Sequence, residues 1–182
     1  NADILIRGGS SFPMKLGRGG GEVSTNTRIG YNALENNSSG SQNTSVGYES
    51  LLANSSGAAN TAFGNRVLRA NSVGNNNVAF GRDVLLSCTD GSQNVGVGNN
   101  SLASVTSGNN NVCIGHYAGF GATGSGNVII GPADDENSTN STYAPPSAGG
   151  SRQLVIGSGT NAWIRGDNNF DITIPNDLNV NG

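Results

Sequence analysis

Charge is scarce in this chain: only 12% of its 182 residues are Asp, Glu, Lys or Arg, and aromatic residues make up 5%. A sequence this poor in Lys and Glu lacks the charged faces of surface helices, which argues against a helical protein. The formal net charge of −3 leaves no basic footprint, so nucleic acid is not an expected partner. No apolar run approaches the roughly 18 residues of a spanning helix, and no signal-peptide pattern is seen, so no membrane insertion is expected. There is one histidine, His116, and there are two cysteines, Cys88 and Cys113. The cysteines sit at different phases of the pattern described below and read as two small, partly buried thiols rather than a disulfide.

Glycine, at 29 residues, and asparagine are abundant instead. Such a composition can mean disorder, but here aliphatic and β-branched residues recur at fixed spacing, which disordered tracts lack. A phrase of Asn, then Thr or Val, a variable residue, Ile, Val or Phe, and Gly begins at Asn26, Asn43, Asn60, Asn77, Asn94, Asn111 and Asn127. The first six copies start 17 residues apart, the seventh follows after 16, and a worn copy, Gln153–Gly157, comes after a 21-residue interruption. Leu34, Leu51, Leu68, Leu85 and Leu102 each stand eight residues after their Asn, and Gly40, Gly57, Gly74, Gly91 and Gly108 close those units. A short fixed period of this kind is the mark of a solenoid.

Each position has a physical reading. The Thr/Val and Ile/Val/Phe positions lie two apart and share one face of a strand. With the Leu column they are assigned to the core: Val46, Phe63, Phe80, Val97 and Ile114 beside Leu34, Leu51, Leu68, Leu85 and Leu102. The residue between them is usually small (Ser45, Ala62, Ala79, Gly96, Cys113) and is assigned to the opposite face, where it permits close approach of another chain. Gly then turns the backbone, and the opening Asn can stack on the Asn of the next coil and bond backbone groups at the corner. The second limb, such as "YESLL", reads as a short strand or one helical turn with its Leu inward. One coil buries too little to stand alone, so the coils are expected to stack at ~4.8 Å each into a rod on the order of 33 Å long.

"NTSVGYESLLANSSG" and "NTAFGNRVL" resemble the head repeats of trimeric autotransporter adhesins. They resemble still more closely the repeats in tail-fibre and appendage proteins of tailed bacteriophages, cyanophages especially. The resemblance covers Gly17 to Gly131. "GRGGGEVSTNT" (Gly17–Thr27) is similar to the entry of such arrays, and "DITIPNDLNVNG" (Asp171–Gly182) to the β-rich connectors between fibre segments. It implies a left-handed β-roll in each chain and a parallel homotrimer with the small-residue limb toward the shared axis. Arg28 in the first copy and Ile129 in the last depart from the small-residue rule.

Other motifs are weaker. Gly119–Gly124 spells GxGxxG, but "SGNVIIG" follows where a dinucleotide fold needs a helix. Arg165-Gly166-Asp167 reads as a polar turn between strands. Asp134, Asp135 and Glu136 open the longest stretch outside the repeats and read as a solvated loop, without the spacing of a Ca²⁺ site; Tyr143 in the same loop is a possible recognition contact. No nucleophile–base arrangement surrounds His116.

The expected protein is thus an all-β solenoid, a left-handed β-roll of 17-residue repeats, assembled as a parallel homotrimer. Residues 1–22 form an N-terminal β connector, 23–131 the roll, 132–152 a loop insertion and 153–182 a C-terminal β connector. The expected function is a structural segment of a homotrimeric phage tail fibre or virion appendage involved in host attachment. It would act without catalysis, cofactor or metal, and be located on the virion. The expected partners are further copies of itself, other fibre or tail proteins and a host cell-surface receptor. The alternative is the head of a bacterial trimeric surface adhesin that binds host matrix; a depolymerase would need paired carboxylates that the repeats do not offer.

Overall fold

The computed structural model describes residues 4–6, 14–132, 150–158, 161–166, 169 and 171–174. Its strands are β1 (Ile4–Ile6), β2 (Met14–Gly17), β3 (Thr27–Ile29), β4 (Thr44–Val46), β5 (Thr61–Asn65), β6 (Val78–Arg82), β7 (Val95–Val97), β8 (Val112–Ile114), β9 (Val128–Ile130), β10 (Leu154–Ser158), β11 (Asn161–Gly166) and β12 (Ile172–Thr173). All twelve form one sheet in sequence order. From β3 to β10 the pairing is parallel, and each strand lies directly over the equivalent residues of the previous copy, as Thr61 does over Thr44 and under Val78. The chain is a β-solenoid of about six turns, and the described residues include no α-helix. The two ends differ from the middle. β1, β2 and β3 pair antiparallel at one end, and β10, β11 and β12 at the other.

Hydrogen bonding between coils does not stop at the strands. In the second limb the Leu51 amide donates to Val67 O at 3.0 Å, and in the turns the Ser55 amide donates to Ser72 O at 2.9 Å. Each coil thereby satisfies the backbone of its neighbour around the whole circuit, which lets irregular limbs be buried. The second limb is neither strand nor helix. It alternates residues of left-handed conformation, such as Arg66 (φ 53°) and Leu68 (φ 50°). A non-glycine residue is held there at a cost of about 1–2 kcal/mol, offset by burial of the Leu and by the inter-coil bonds. In the sixth coil the Leu position is taken by Gly119 (φ 67°), and a Cβ there would lie 2.6 Å from Cys113 Sγ. A larger residue on the strand and a smaller one on the limb fill the same space.

The structure reverses the expected facing of the strands. The small residues Ser45, Ala62, Ala79, Gly96 and Cys113 point into the chain's own interior, fully buried opposite the Leu column, and therefore do not face another chain. Val46, Phe63, Phe80, Val97 and Ile114, expected in the core, lie on the outside; Phe63 is 52% exposed and Phe80 41%. Leu34, Leu51, Leu68, Leu85 and Leu102 are wholly buried. The physical reason is width. The roll has two close walls, and a Leu from one leaves room only for a small group from the other. At Gly96 even a Cβ would lie 2.5 Å from Val84 Cγ1. The two exceptions to the small-residue rule sit near the ends of the ladder, where Arg28 and Ile129 are also buried and point inward.

Candidate functional site

An inner frame of amides ties each coil to the next. Asn26, Asn43, Asn60, Asn77, Asn94, Asn111 and Asn127 form a buried column. In each, Oδ1 accepts the backbone amide of the next, as from Asn77 to Asn60 and from Asn94 to Asn77 at 3.0 Å. The Nδ2 group of Asn77 donates to Gly91 O at 2.8 Å, closing its own coil. Gln153 N continues the column on Asn127 Oδ1 at 3.1 Å. A second column, Asn37, Asn54 and Asn71, runs beside the first three closing glycines until Cys88 replaces the amide. Asn71 Oδ1 is left buried without a partner at that point.

On this frame the outer face of the sheet is mostly apolar, with Thr27, Thr44 and Thr61 followed by Val78, Val95, Val112 and Val128 in the column after the asparagine. The outward position before the glycine corner carries Ile29, Val46, Phe63, Phe80, Val97, Ile114 and Ile130 in consecutive strands, and no charged residue stands at either outward position from β3 to β10. The register continues the face onto both antiparallel ends, where Leu16 lies opposite Ile29 and Ile164 opposite Ile156. Phe63 and Phe80 stack with ring centroids 6.0 Å apart. Beyond the glycine corner Tyr31 and Tyr48 stack at 5.6 Å.

The ion pairs of the middle coils lie along the adjoining limb and the strand end that leads into it. Arg66 holds Asp83 through Nε at 2.7 Å and Nη2 at 2.8 Å, Arg82 Nε lies 3.1 Å from the same carboxylate, and Arg69 Nε lies 2.7 Å from Glu49. The Asp83 hydrogen bond raises the pKa of Arg66, and the Arg69 hydrogen bond lowers that of Glu49. At the first coil Glu35 bridges Lys15 at 2.7 Å and the buried Arg28 at 2.6 Å. Burial alone would raise the Glu35 carboxyl, but the hydrogen bonds and charges of Lys15 and Arg28 outweigh it and hold the carboxyl below its ordinary value.

The remaining motifs do not converge. His116 packs edge-on against Tyr117 at 4.4 Å. The GxGxxG stretch leads into strand β9, not into a helix. Arg165 and Gly166 end β11, while Asp167, Asp134, Asp135, Glu136 and Tyr143 lie outside the described residues. Cys88 and Cys113 are free, buried thiols, pushed up by burial to about 11 and about 12. Among the described residues no three His, Cys, Asp or Glu side chains gather as a metal site would need, and no helix is long and apolar enough to cross a membrane.

No protein-family model, curated protein or solved structure matches this chain. The surface itself therefore carries the functional reading. Its distinguishing feature is a long sheet face lined by Ile29, Val46, Phe63, Phe80, Val97, Ile114 and Ile130, a column of which sequence reasoning placed Val46, Phe63, Phe80, Val97 and Ile114 inside the roll. The signal that could have located it was volume. A column of Leu inside a two-walled coil must face the smaller of the two alternating columns, and the bulkier one must point out.

Proposed function

We propose that this chain is a structural segment of a homotrimeric tail fibre or related virion appendage of a tailed phage, involved in host attachment. The observation that carries the reading is the mostly apolar outer face, with no charge at the two positions that flank the inward column in each of the eight parallel strands. Large contiguous apolar surfaces on a protein mark association sites. A face of eight strands at ~4.8 Å spacing is about 34 Å long, and it suits lengthwise packing against copies of itself. The number three and the parallel arrangement rest on the resemblance of the repeats. In this reading the outer face, not the small-residue column, meets the trimer axis. The ion-paired limb and the Ser/Asn-rich turns then face outward, available to neighbouring fibre proteins or a host receptor. The role is mechanical: a rod that holds other parts at a distance.

Two measurements test it. Light scattering behind size exclusion should give about three chains of 18.4 kDa each, near 55 kDa; a folded monomer overturns the trimer. Antibodies against residues 23–131 should decorate the tail appendages of phage particles made from the same genome. Labelling of uninfected bacterial surfaces instead overturns the virion assignment in favour of an adhesin.

A further inference from the structure

Each coil of the roll is hydrogen-bonded to the coil before it. The coil that begins at Asn26 is the first, and the antiparallel strand β2 precedes it instead. A bare first coil would present a row of open backbone groups, which is a template for the addition of another chain. The structure fills these places one by one. At the corner, the Gly47 amide donates to Ile29 O of the preceding coil at 2.8 Å, and the corresponding Gly30 amide donates to Lys15 O of β2 at 2.9 Å. In the first amide column, the Asn43 amide donates to Asn26 Oδ1 at 2.8 Å, and the Asn26 amide donates to Val23 O at 3.1 Å. In the second column, Asn54 Nδ2 donates to Asn37 Oδ1 at 2.8 Å, and Asn37 Nδ2 donates to Gly20 O at 3.2 Å. On the second limb, Ser50 O accepts the Leu34 amide at 2.9 Å, and Ala33 O accepts Arg28 Nη1 at 3.4 Å.

Residues 19–21 lie close against that limb. The Gly20 amide donates to Leu34 O at 2.9 Å. A Cβ at Gly20 would run into Glu35 O and Asn37 O, and one at Gly21 into Ser38 O. Gly21 also stands in the left-handed region at φ 68°. Glycine is thus what lets this backbone reach the carbonyls of the coil. Lys15 Nζ, 2.7 Å from Glu35, pins β2 to the same limb.

We propose that residues 15–23, with Arg28, form a cap that takes the place of a preceding coil, ends the ladder and keeps the roll from joining end to end with another copy. A copy is the partner that a bared edge fits best, because its own bared edge carries the same backbone groups at the same spacing. Covering an edge with a loop is a general way to block such pairing. The inference is independent of the number of chains in the wild-type protein, since the test compares masses with wild type.

The test uses two variants of the full chain. G20V/G21V drives the cap off the limb by crowding, and Lys15→Glu repels β2 from Glu35. Gly121→Val is the control, because a Cβ there meets no heavy atom within 4 Å. Hydrogen exchange reports whether the cap has lifted, light scattering gives the mass over a concentration series, and negative-stain electron microscopy gives the particle shape. In both variants the Gly30 amide should lose protection while Leu68 keeps it. Their mass should rise with concentration to at least twice that of wild type, in particles that are longer but no wider. Gly121→Val should match wild type throughout. A lifted cap with wild-type mass overturns the proposal, and so does association into wider or amorphous particles. Unchanged Gly30 protection in both variants overturns the assigned contacts. Circular dichroism identifies a variant that fails to fold, and the other then decides; loss of the fold in both would show that these residues build the roll itself and do not merely end it.

Discussion

At the residue scale this protein depends on groups that are absent or neutral. Gly64 sits at φ 132°, and a Cβ there would run into the carbonyl oxygen of Gly81 in the next coil. Conformation and space both exclude a side chain, so Gly64→Ala should lower stability by about 3 kcal/mol or more, read from urea denaturation. The amide column behaves differently, because its loss leaves neighbours unsatisfied rather than crowded. Truncating Asn77 deprives the Asn94 amide of its partner inside the roll and leaves Gly91 O with only the weak Cys88 thiol donor. Asn77→Ala is expected to cost about 2–4 kcal/mol in the same experiment, while Ser56→Ala, at an exposed turn, should stay within about 0.5 kcal/mol. A cost for Asn77→Ala no larger than for Ser56→Ala would show that the column contributes nothing net. These Asn and Gly columns were legible in the sequence, since each holds a fixed place in the 17-residue phrase.

At the scale of elements, the coils and their end pieces are built on different chemistry. Inside the middle coils the buried polar side chains are mainly amides and hydroxyls that do not titrate, with Asp83 held by two arginines at the edge. The first coil instead closes over buried Arg28, whose charge is met by Glu35, and Glu35 also ties Lys15 of β2 to the roll. Glu35 has its pKa lowered in the folded chain. Its contribution is therefore fully present above the unfolded carboxylate value and is lost as pH falls through the folded one. The carboxylate is partly exposed, so solvent screening limits this contribution to about 1 kcal/mol. Hydrogen-exchange protection at Gly30, whose amide bonds Lys15 O, should fall below about pH 4.5 while that at Leu68 persists. In Glu35→Gln the Gly30 protection should already be low at neutral pH and no longer respond to acid. Equal acid sensitivity at Gly30 and Leu68 would count against a locally held end. Arg28 already stood out in the sequence as a break in the small-residue column, but its partner, seven residues away on the second limb, was not readable, because that limb follows neither a strand nor a helix period.

At the scale of the whole molecule, the stacked coils cover the interior. Cys88 and Cys113 are enclosed by the coils, and burial raises their pKa values to about 11 and about 12. At pH 8 both are protonated as well as shielded, so neither should react with a thiol reagent in the folded protein. Labelling of both should appear together with the loss of β-structure on denaturation, read by mass spectrometry. Fast labelling of either thiol in native buffer would reveal local opening of the fourth or sixth coil.

The sequence by itself determined that the chain is a β-solenoid, where each coil begins and ends, and which residues stack. A 17-residue period repeated in register leaves each side chain beside its own copies, and glycine, asparagine and leucine each suit only one place in such a coil. What only the tertiary structure decided is which side of the strand faces in. Two-residue alternation is symmetric between its two faces, so Val46-Phe63-Phe80 and Ser45-Ala62-Ala79 were equally able to be the inside. The distance between the two walls of the roll broke that symmetry. With Leu51, Leu68 and Leu85 occupying the interior from the other limb, the space left in these coils admits only the small column, and the bulky one is left on the surface.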